Sequence, residues 1–237
     1  MKRYEQKTVF FSLYALLFGG ILGLIATLLL WEMPPVENAA QWAKFTSSNV
    51  YTISYYLLIY AYLIPIPGFW AFHRLFSEER ASFLLSFWGM VLSILGSALP
   101  LAAMGISAFA FPAFAFPAFA RMSMSDGLDV AALTGGIFTP STIIFLLFSG
   151  FYYLVGIILF GIVFWKRRNP SLKIASISLV LHGFLIILPE QIIVNFLSWV
   201  FLLLSSVIVI VYSQKQLRNH AIPGGSQAME LDRFDVA

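Results

Sequence analysis

The chain has 237 residues, of which 60% are hydrophobic and 11% are charged, with a formal net charge of +3. Soluble domains carry about 25% charged residues, so this composition excludes a protein whose main solvent is water and favours one embedded in a bilayer. The absence of cysteine excludes disulfides, cysteine-ligated iron–sulfur clusters and thiol catalysis.

Apolar runs of transmembrane length follow one another along the chain. A hydrocarbon core of about 30 Å takes about 20 helical residues. Five runs are long enough, at about 9–31, 50–72, 81–103, 142–165 and 192–212, and a shorter sixth run covers 174–188. The sixth spans if Lys173 and Glu190 extend into the headgroups. The sequence therefore predicts an all-α polytopic membrane protein with six transmembrane helices in one domain, 1–213, and a polar cytoplasmic tail, 214–237.

The basic residues predict the orientation of these spans, because cytoplasmic flanks retain Lys and Arg during insertion. In a six-span arrangement, twelve basic residues lie on the side of the N-terminus, against only Lys44 and Arg121 on the other side. We therefore expect both termini to be cytoplasmic. The positive charge follows from this topology and gives little support to a nucleic-acid partner.

Small residues recur at intervals of four in two of the predicted spans. They are Gly19 and Gly23 in the first span, and Gly89, Ser93 and Ser97 in the third. Small residues on one face let helix backbones approach closely in lipid. We expect ordinary packing inside the bundle, and the alternative is a homo-oligomer formed through the Gly19 face.

The second span contains the sequence IPIPG, with Pro65, Pro67 and Gly68. Prolines here break the helix and free carbonyl groups, and in transporters such broken helices mark substrate sites. The fifth span ends at Pro189, so each three-span half has a middle helix disturbed by proline, although the halves show no convincing residue-level repeat. This pattern leaves open a small-molecule or lipid transporter.

A phenylalanine- and proline-rich segment, 106–121, follows the third span on the predicted outer face. Pro112 and Pro117 disfavour a straight helix, and the phenylalanines scatter around a helix instead of forming one stripe. We expect a kinked continuation of the third span that packs on neighbouring helix ends and stops at Arg121. The repeat is then either a slipped duplication that fills space, or a hydrophobic lid or lipid-facing wedge over an outward cavity.

The predicted spans contain no Asp, Glu, Lys or Arg, which argues against proton- or sodium-coupled transport, voltage sensing and intramembrane acid catalysis. Tyrosines aside, the one ionisable group in mid-membrane is His182. Two interpretations remain: a neutral histidine hydrogen-bonded to a serine or a backbone carbonyl, or a ligand of haem or of a chlorophyll magnesium. His73 is predicted at the wrong depth to share one haem with His182.

Three charged residues end up on the same predicted outer side, namely Glu32, Arg121 and Glu190. They either form a carboxylate–guanidinium cluster at a cavity mouth or only interact with water. The sequence contains no nucleotide-binding loop, no metal-ligand spacing and no nucleophile motif that we recognise. We therefore do not expect an enzyme or a metal site.

Several stretches carry a resemblance to a known class, namely GFWAFHRLFSEE, FPAFARM and FYYLVGIILFGIVFWKRRNPSLKIASISLVLHG. From about Thr8 to Tyr212 the chain resembles the small six-span bacterial integral membrane proteins of unknown function. The resemblance implies a bacterial plasma (inner) membrane location and carries over no activity and no site residues. We expect a structural or accessory subunit of a membrane assembly, in contact with lipid and with other membrane subunits or copies of itself.

Overall fold

The computed structural model describes residues 3–32, 39–77, 80–105, 107–109, 140–188 and 192–221. Within these ranges the chain is almost entirely helical and contains no β-strand, which confirms the all-α prediction. The helices of the described ranges are α1 (Arg3–Leu29), α2 (Ala39–Thr46), α3 (Asn49–Leu63), α4 (Ile66–Phe76), α5 (Arg80–Ala98), α6 (Pro100–Gly105), α7 (Pro140–Lys166), α8 (Pro170–Ile186) and α9 (Ile192–Ala221).

Five helical stretches of the described chain are long and apolar enough to cross a membrane. They are Lys7–Leu29, Asn49–Phe76, Arg80–Phe109, Leu146–Lys166 and Ile192–Gln216. The apolar helix α8 is shorter, with 17 residues. By length and composition the fold is compatible with a multi-pass membrane protein.

The ends of α8 and α9 differ from the sequence prediction, as does the start of α1 at Arg3. Helix α8 begins at Pro170, because the Asn169 Oδ1 accepts hydrogen bonds from the backbone N–H groups of Ser171 and Leu172, at 2.9 and 3.4 Å. An asparagine cap followed by proline is a strong helix start. Helix α9 continues beyond the predicted span to Ala221, so the first part of the predicted polar tail is helical. The remainder of that tail, 222–237, lies outside the described residues.

The IPIPG sequence separates α3 from α4 by a tight turn. The Ile64 N–H still donates to the Tyr60 carbonyl at 2.9 Å, and the Gly68 N–H donates to the Pro65 carbonyl at 2.8 Å. Pro65 itself has helical dihedral angles, φ −64° and ψ −18°. The second spanning stretch is therefore interrupted over two residues and then continues as a helix.

The helices pack as a closed ring in the order α1, α4, α5, α7, α8, α9 and back to α1, and α3 packs on α1. The interior of this ring contains an aromatic core, which consists of Phe69, Phe72, Phe76, Phe160 and Phe164. Phe72 contacts the rings of Phe160 and Phe164 edge to face, with centroids 5.3 and 5.1 Å apart. These rings fix α4 against α7.

Candidate functional site: a buried histidine network

His182 lies on α8 and is fully buried, with protein partners on both ring nitrogens. The Nε2 atom is 2.9 Å from the Tyr153 hydroxyl on α7. The Nδ1 atom is 2.8 Å from the Ser198 Oγ and 3.0 Å from the Ser198 carbonyl oxygen on α9. The Ser198 hydroxyl in turn donates to the His182 carbonyl at 3.1 Å. We call Tyr153, His182 and Ser198 the histidine network.

The partners of His182 determine which ring nitrogen carries the proton. A carbonyl oxygen only accepts hydrogen bonds, so the Nδ1 that faces the Ser198 carbonyl carries hydrogen. The Nε2 then accepts a hydrogen bond from the Tyr153 hydroxyl. A neutral ring satisfies all of these contacts, whereas a charged ring would be buried without a counter-ion among the described residues. The hydrogen-bonded interpretation of His182 predicts this arrangement.

A tryptophan connects the histidine network to α1 and α3. The Trp199 ring lies 5.6 Å from the His182 ring and 5.6 Å from the Tyr62 ring of α3, between centroids. It also covers Gly23 of α1, where a Cβ would overlap the indole. Residues from five helices thus meet around His182, so the histidine network and Trp199 hold these helices together.

The geometry leaves no ring nitrogen of His182 available to a cofactor. Haem iron or chlorophyll magnesium takes a nitrogen lone pair, and the Nε2 lone pair is occupied by the Tyr153 hydroxyl. A bound tetrapyrrole would have to displace Tyr153 from the buried interior. Across the described ranges, no group of three His, Cys, Asp or Glu side chains is placed to hold a metal ion.

The proline break packs closely against the neighbouring helix α1. Gly19 faces Pro65 so closely that a Cβ at Gly19 would overlap the proline ring. Gly68 is covered by Leu16 in the same way, whereas Pro67 is exposed. The contact of α1 with Pro65 and Gly68 therefore covers one side of the break.

The two glycines that the sequence analysis singled out on α1 pack against side chains of the same chain. Gly19 and Gly23 pack against Pro65 and Trp199 of the same chain. A second copy would have to displace these side chains to reach the Gly19 face. The geometry therefore favours packing within the chain over a homo-oligomer formed through that face.

The small residues of α5 meet those of α7 in a seam that consists of Gly89, Ser93, Gly96, Ser149 and Gly156. The Ser149 hydroxyl donates to the Gly96 carbonyl at 3.0 Å. A Cβ on Gly89 would lie 3.2 Å from the Gly156 carbonyl oxygen, and one on Gly96 would lie 2.5 Å from the Tyr153 Cα. The buried Ser93 Oγ has no hydrogen-bond partner within the described ranges.

The other predicted site residues are only partly within the described ranges. Ser97 is buried on α5, and Glu32 is exposed just after α1. Arg121 and Glu190 lie outside the described residues, so the predicted outer-face cluster stays a prediction. Of the segment 106–121, residues 107–109 form a single π-helical turn, and Phe109 packs on Tyr56 with ring centroids 5.4 Å apart.

Tyr153, Ser198 and Gly96 are the residues that sequence reasoning missed. For Tyr153 and Ser198, the signal in the sequence is a hydroxyl-bearing residue on a neighbouring span at the depth of His182. Gly96 stands seven residues after Gly89, which places it on the same helix face.

Comparisons of the chain with protein-family models, with curated proteins and with solved structures found no match. The resemblance to six-span bacterial proteins therefore stays an expectation from the residues quoted above. The functional inference depends on the geometry of the chain itself.

Proposed function

We propose that the protein is a six-span protein of a bacterial plasma membrane, with both termini in the cytoplasm, that acts as a structural or accessory subunit without catalysis. The observation that carries this proposal is the histidine network. His182, the one ionisable side chain other than tyrosine that the sequence places in mid-membrane, is fully buried, and both ring nitrogens bond to Tyr153 and Ser198. A group used in this way stabilises the bundle and is not available to a substrate.

The outer surface of the bundle supports the same proposal. Large apolar side chains are exposed on helices around the ring, among them Phe11 at 79%, Leu147 at 67% and Ile193 at 61% of their full area. Such a surface requires lipid or another membrane protein to cover it. An accessory subunit presents this kind of surface to its partners.

Native extraction tests the accessory role. The protein is extracted from its own membrane in a mild detergent, and the particle mass is measured by size-exclusion chromatography with light scattering. We expect a particle larger than one chain that contains further membrane proteins. Isolation as a lone monomer, reproduced in two mild detergents, would contradict the proposal.

Labelling of lysines tests the six-span topology separately. A membrane-impermeant amine reagent is added to intact cells, and the modified lysines are identified by peptide mass spectrometry. We expect modification of the exposed Lys44 and none of Lys166 or Lys173, which become reactive only after lysis. Modification of Lys166 in intact cells would reverse the orientation or change the number of spans.

A visible absorbance spectrum distinguishes this proposal from a pigment- or haem-binding subunit. The gently purified protein should show only the near-ultraviolet absorbance of its aromatic residues. A visible band that disappears in His182→Ala would overturn our assignment of His182. The absorbance of the detergent buffer after the same extraction serves as the control.

A further inference from the structure

A groove of about 290 Å³ lies on the outside of the bundle between α7 and α8. Its floor is formed by Gly161 and Ser176, which bring the two helices close together: the Ser176 hydroxyl donates to the Gly161 carbonyl at 2.8 Å. A Cβ on Gly161 would lie 2.7 Å from the Val180 Cγ2. The missing side chain of Gly161 therefore creates both the close approach and the depression above it.

The long side of the groove is apolar and extends along one turn after another of α7. Ile158, Ile162 and Trp165 form this side, and Val180 of α8 faces them. From Ile158 to Lys166 the helix rises about 12 Å, at about 1.5 Å per residue. This length approaches one leaflet, which is half of a hydrocarbon core of about 30 Å. An acyl chain that lies along α7 fits this direction and chemistry.

Positive charge is concentrated at one end of the groove. Lys166 is one of its lining residues, and the Lys173 Nζ lies 5.5 Å from the centre of the Trp165 ring. Both lysines are exposed, and neither has an ion-pair partner among the described residues. Helix α8 also begins here, so the partial positive charge of its N-terminus adds to the two ammonium groups.

We propose that this groove binds an anionic glycerophospholipid. One acyl chain lies along Ile158 and Ile162, and the phosphate contacts Lys166 and Lys173. The charge complementarity carries the choice of occupant. An apolar channel that ends in two lysines, neither with an ion-pair partner among the described residues, matches an amphiphile with an anionic head. Basic pockets between transmembrane helices bind anionic headgroups in this way. The proposal rests on the chain crossing a bilayer, but it depends neither on the direction of crossing nor on the accessory role.

Removal of the two charges tests the headgroup contact. The purified protein in mild detergent is titrated with dioleoyl phosphatidylglycerol or with the zwitterionic dioleoyl phosphatidylcholine, and bound lipid is counted by native mass spectrometry. The double variant Lys166→Gln, Lys173→Gln should bind phosphatidylglycerol about 25-fold more weakly, because each lysine near a membrane surface contributes about a factor of five. The matched control Lys7→Gln, Lys215→Gln removes two exposed lysines elsewhere and should change binding less than twofold.

Filling the groove tests the acyl-chain contact. Ile162→Trp places a bulky indole ring at the wall of the groove. Ile177→Trp makes the same change at an exposed position of α8 that does not line the groove. We expect Ile162→Trp to lose phosphatidylglycerol binding and Ile177→Trp to retain it. Both variants must unfold at the temperature of the parent protein. If Ile162→Trp unfolds lower, Ile158→Phe replaces it as the groove-filling variant.

Three results would overturn the proposal. They are equal binding of the two lipids, equal binding by the charge-removed variant and its control, and displacement of the lipid by glycerol phosphate alone, which would mean that the groove contributes nothing. If Ile162→Trp instead loses a contact between two protein chains, and added lipid does not affect that contact, the groove would be assigned to a protein partner. Because these measurements use the isolated chain, failure to find a membrane complex would leave them unaffected.

Discussion

The histidine network and the small-residue seam are two buried regions that join neighbouring helices by different means. In the network, Tyr153, His182 and Ser198 join α7, α8 and α9 through hydrogen bonds that leave each ring nitrogen paired. In the seam, α5 and α7 approach because Gly96 and Gly156 lack side chains, and the Ser93 Oγ there has no hydrogen-bond partner in the part of the chain that the structure describes.

This difference shows two ways in which helices associate in lipid, where the hydrophobic effect contributes little between them. A hydrogen-bonded network is sensitive to the removal of one partner, since the other partners stay buried and unpaired. A seam of small residues is sensitive to the addition of atoms, since the opposing backbone has no room to move. Five substitutions separate these effects, and all are measured as the free energy of unfolding in mixed detergent micelles.

The largest effect is expected from a single added methyl group in the seam. Gly96→Ala should destabilise the protein by roughly 3 kcal/mol, because the new Cβ meets the backbone of Tyr153, which cannot rotate away. Gly105→Ala is the matched control, since a Cβ there has no neighbour within 4 Å. Equal stability of the two variants would show that α5 and α7 are not held at this distance.

Loss of the histidine should come next. His182→Leu keeps most of the volume but leaves the Tyr153 hydroxyl and the Ser198 carbonyl buried without their partner, which costs roughly 2 kcal/mol. The double variant with Tyr153→Phe should recover part of this loss, because one stranded hydroxyl is removed with its partner. Strictly additive losses in this cycle would contradict a direct Tyr153–His182 bond.

The two hydroxyl partners should differ from each other. Tyr153→Phe leaves the Nε2 of His182 without a donor and should cost about 1 kcal/mol. Ser198→Ala should cost less, about 0.6 kcal/mol, since the Ser198 backbone carbonyl still accepts from the Nδ1. A larger loss for Ser198→Ala than for Tyr153→Phe would assign the proton to the other ring nitrogen.

The smallest effect is expected from the unpaired serine of the seam. Ser93→Ala should change stability by less than about 0.5 kcal/mol, or increase it, because the buried hydroxyl makes no hydrogen bond to any described residue. Ser86→Ala is the comparison, since the Ser86 Oγ lies 2.9 Å from the His73 Nδ1. Equal losses in the two serine variants would indicate that Ser93 has acquired a partner.

Hydropathy was sufficient to predict the long apolar helices, because lipid compatibility depends on the composition of about 20 consecutive residues and not on their partners. It did not predict the short helix α2, Ala39–Thr46, which lies outside every predicted span. The proline turn was also predictable, since Pro65 and Pro67 act locally. The start of α8 could also be predicted from the sequence, because Asn169 before Pro170 is a helix-start signal. The apolar run itself begins four residues later, at 174.

The side-chain contacts between the helices could not be predicted from the sequence, for a physical reason. Which hydroxyl reaches His182 depends on the rotation of three helices about their axes, and a serine or tyrosine at the right depth is only a candidate. The contact of Gly19 with Pro65, which closes the break, likewise requires knowledge of the neighbouring helix. The all-helical fold was therefore largely predictable, whereas His182 was the one residue of the histidine network that the sequence identified.

The ring of helices also sets an order of events during synthesis. Among the helices of the ring, α1 leaves the ribosome before the others, yet it contacts α9, the one that follows them in the chain, through Gly20 against Leu203 and Gly23 against Trp199. At about 5 to 20 residues per second, α1 remains without this neighbour for roughly 9 to 35 s. During that time Gly20 and Gly23 lack these contacts, and a nascent chain that stops before residue 192 cannot complete the ring.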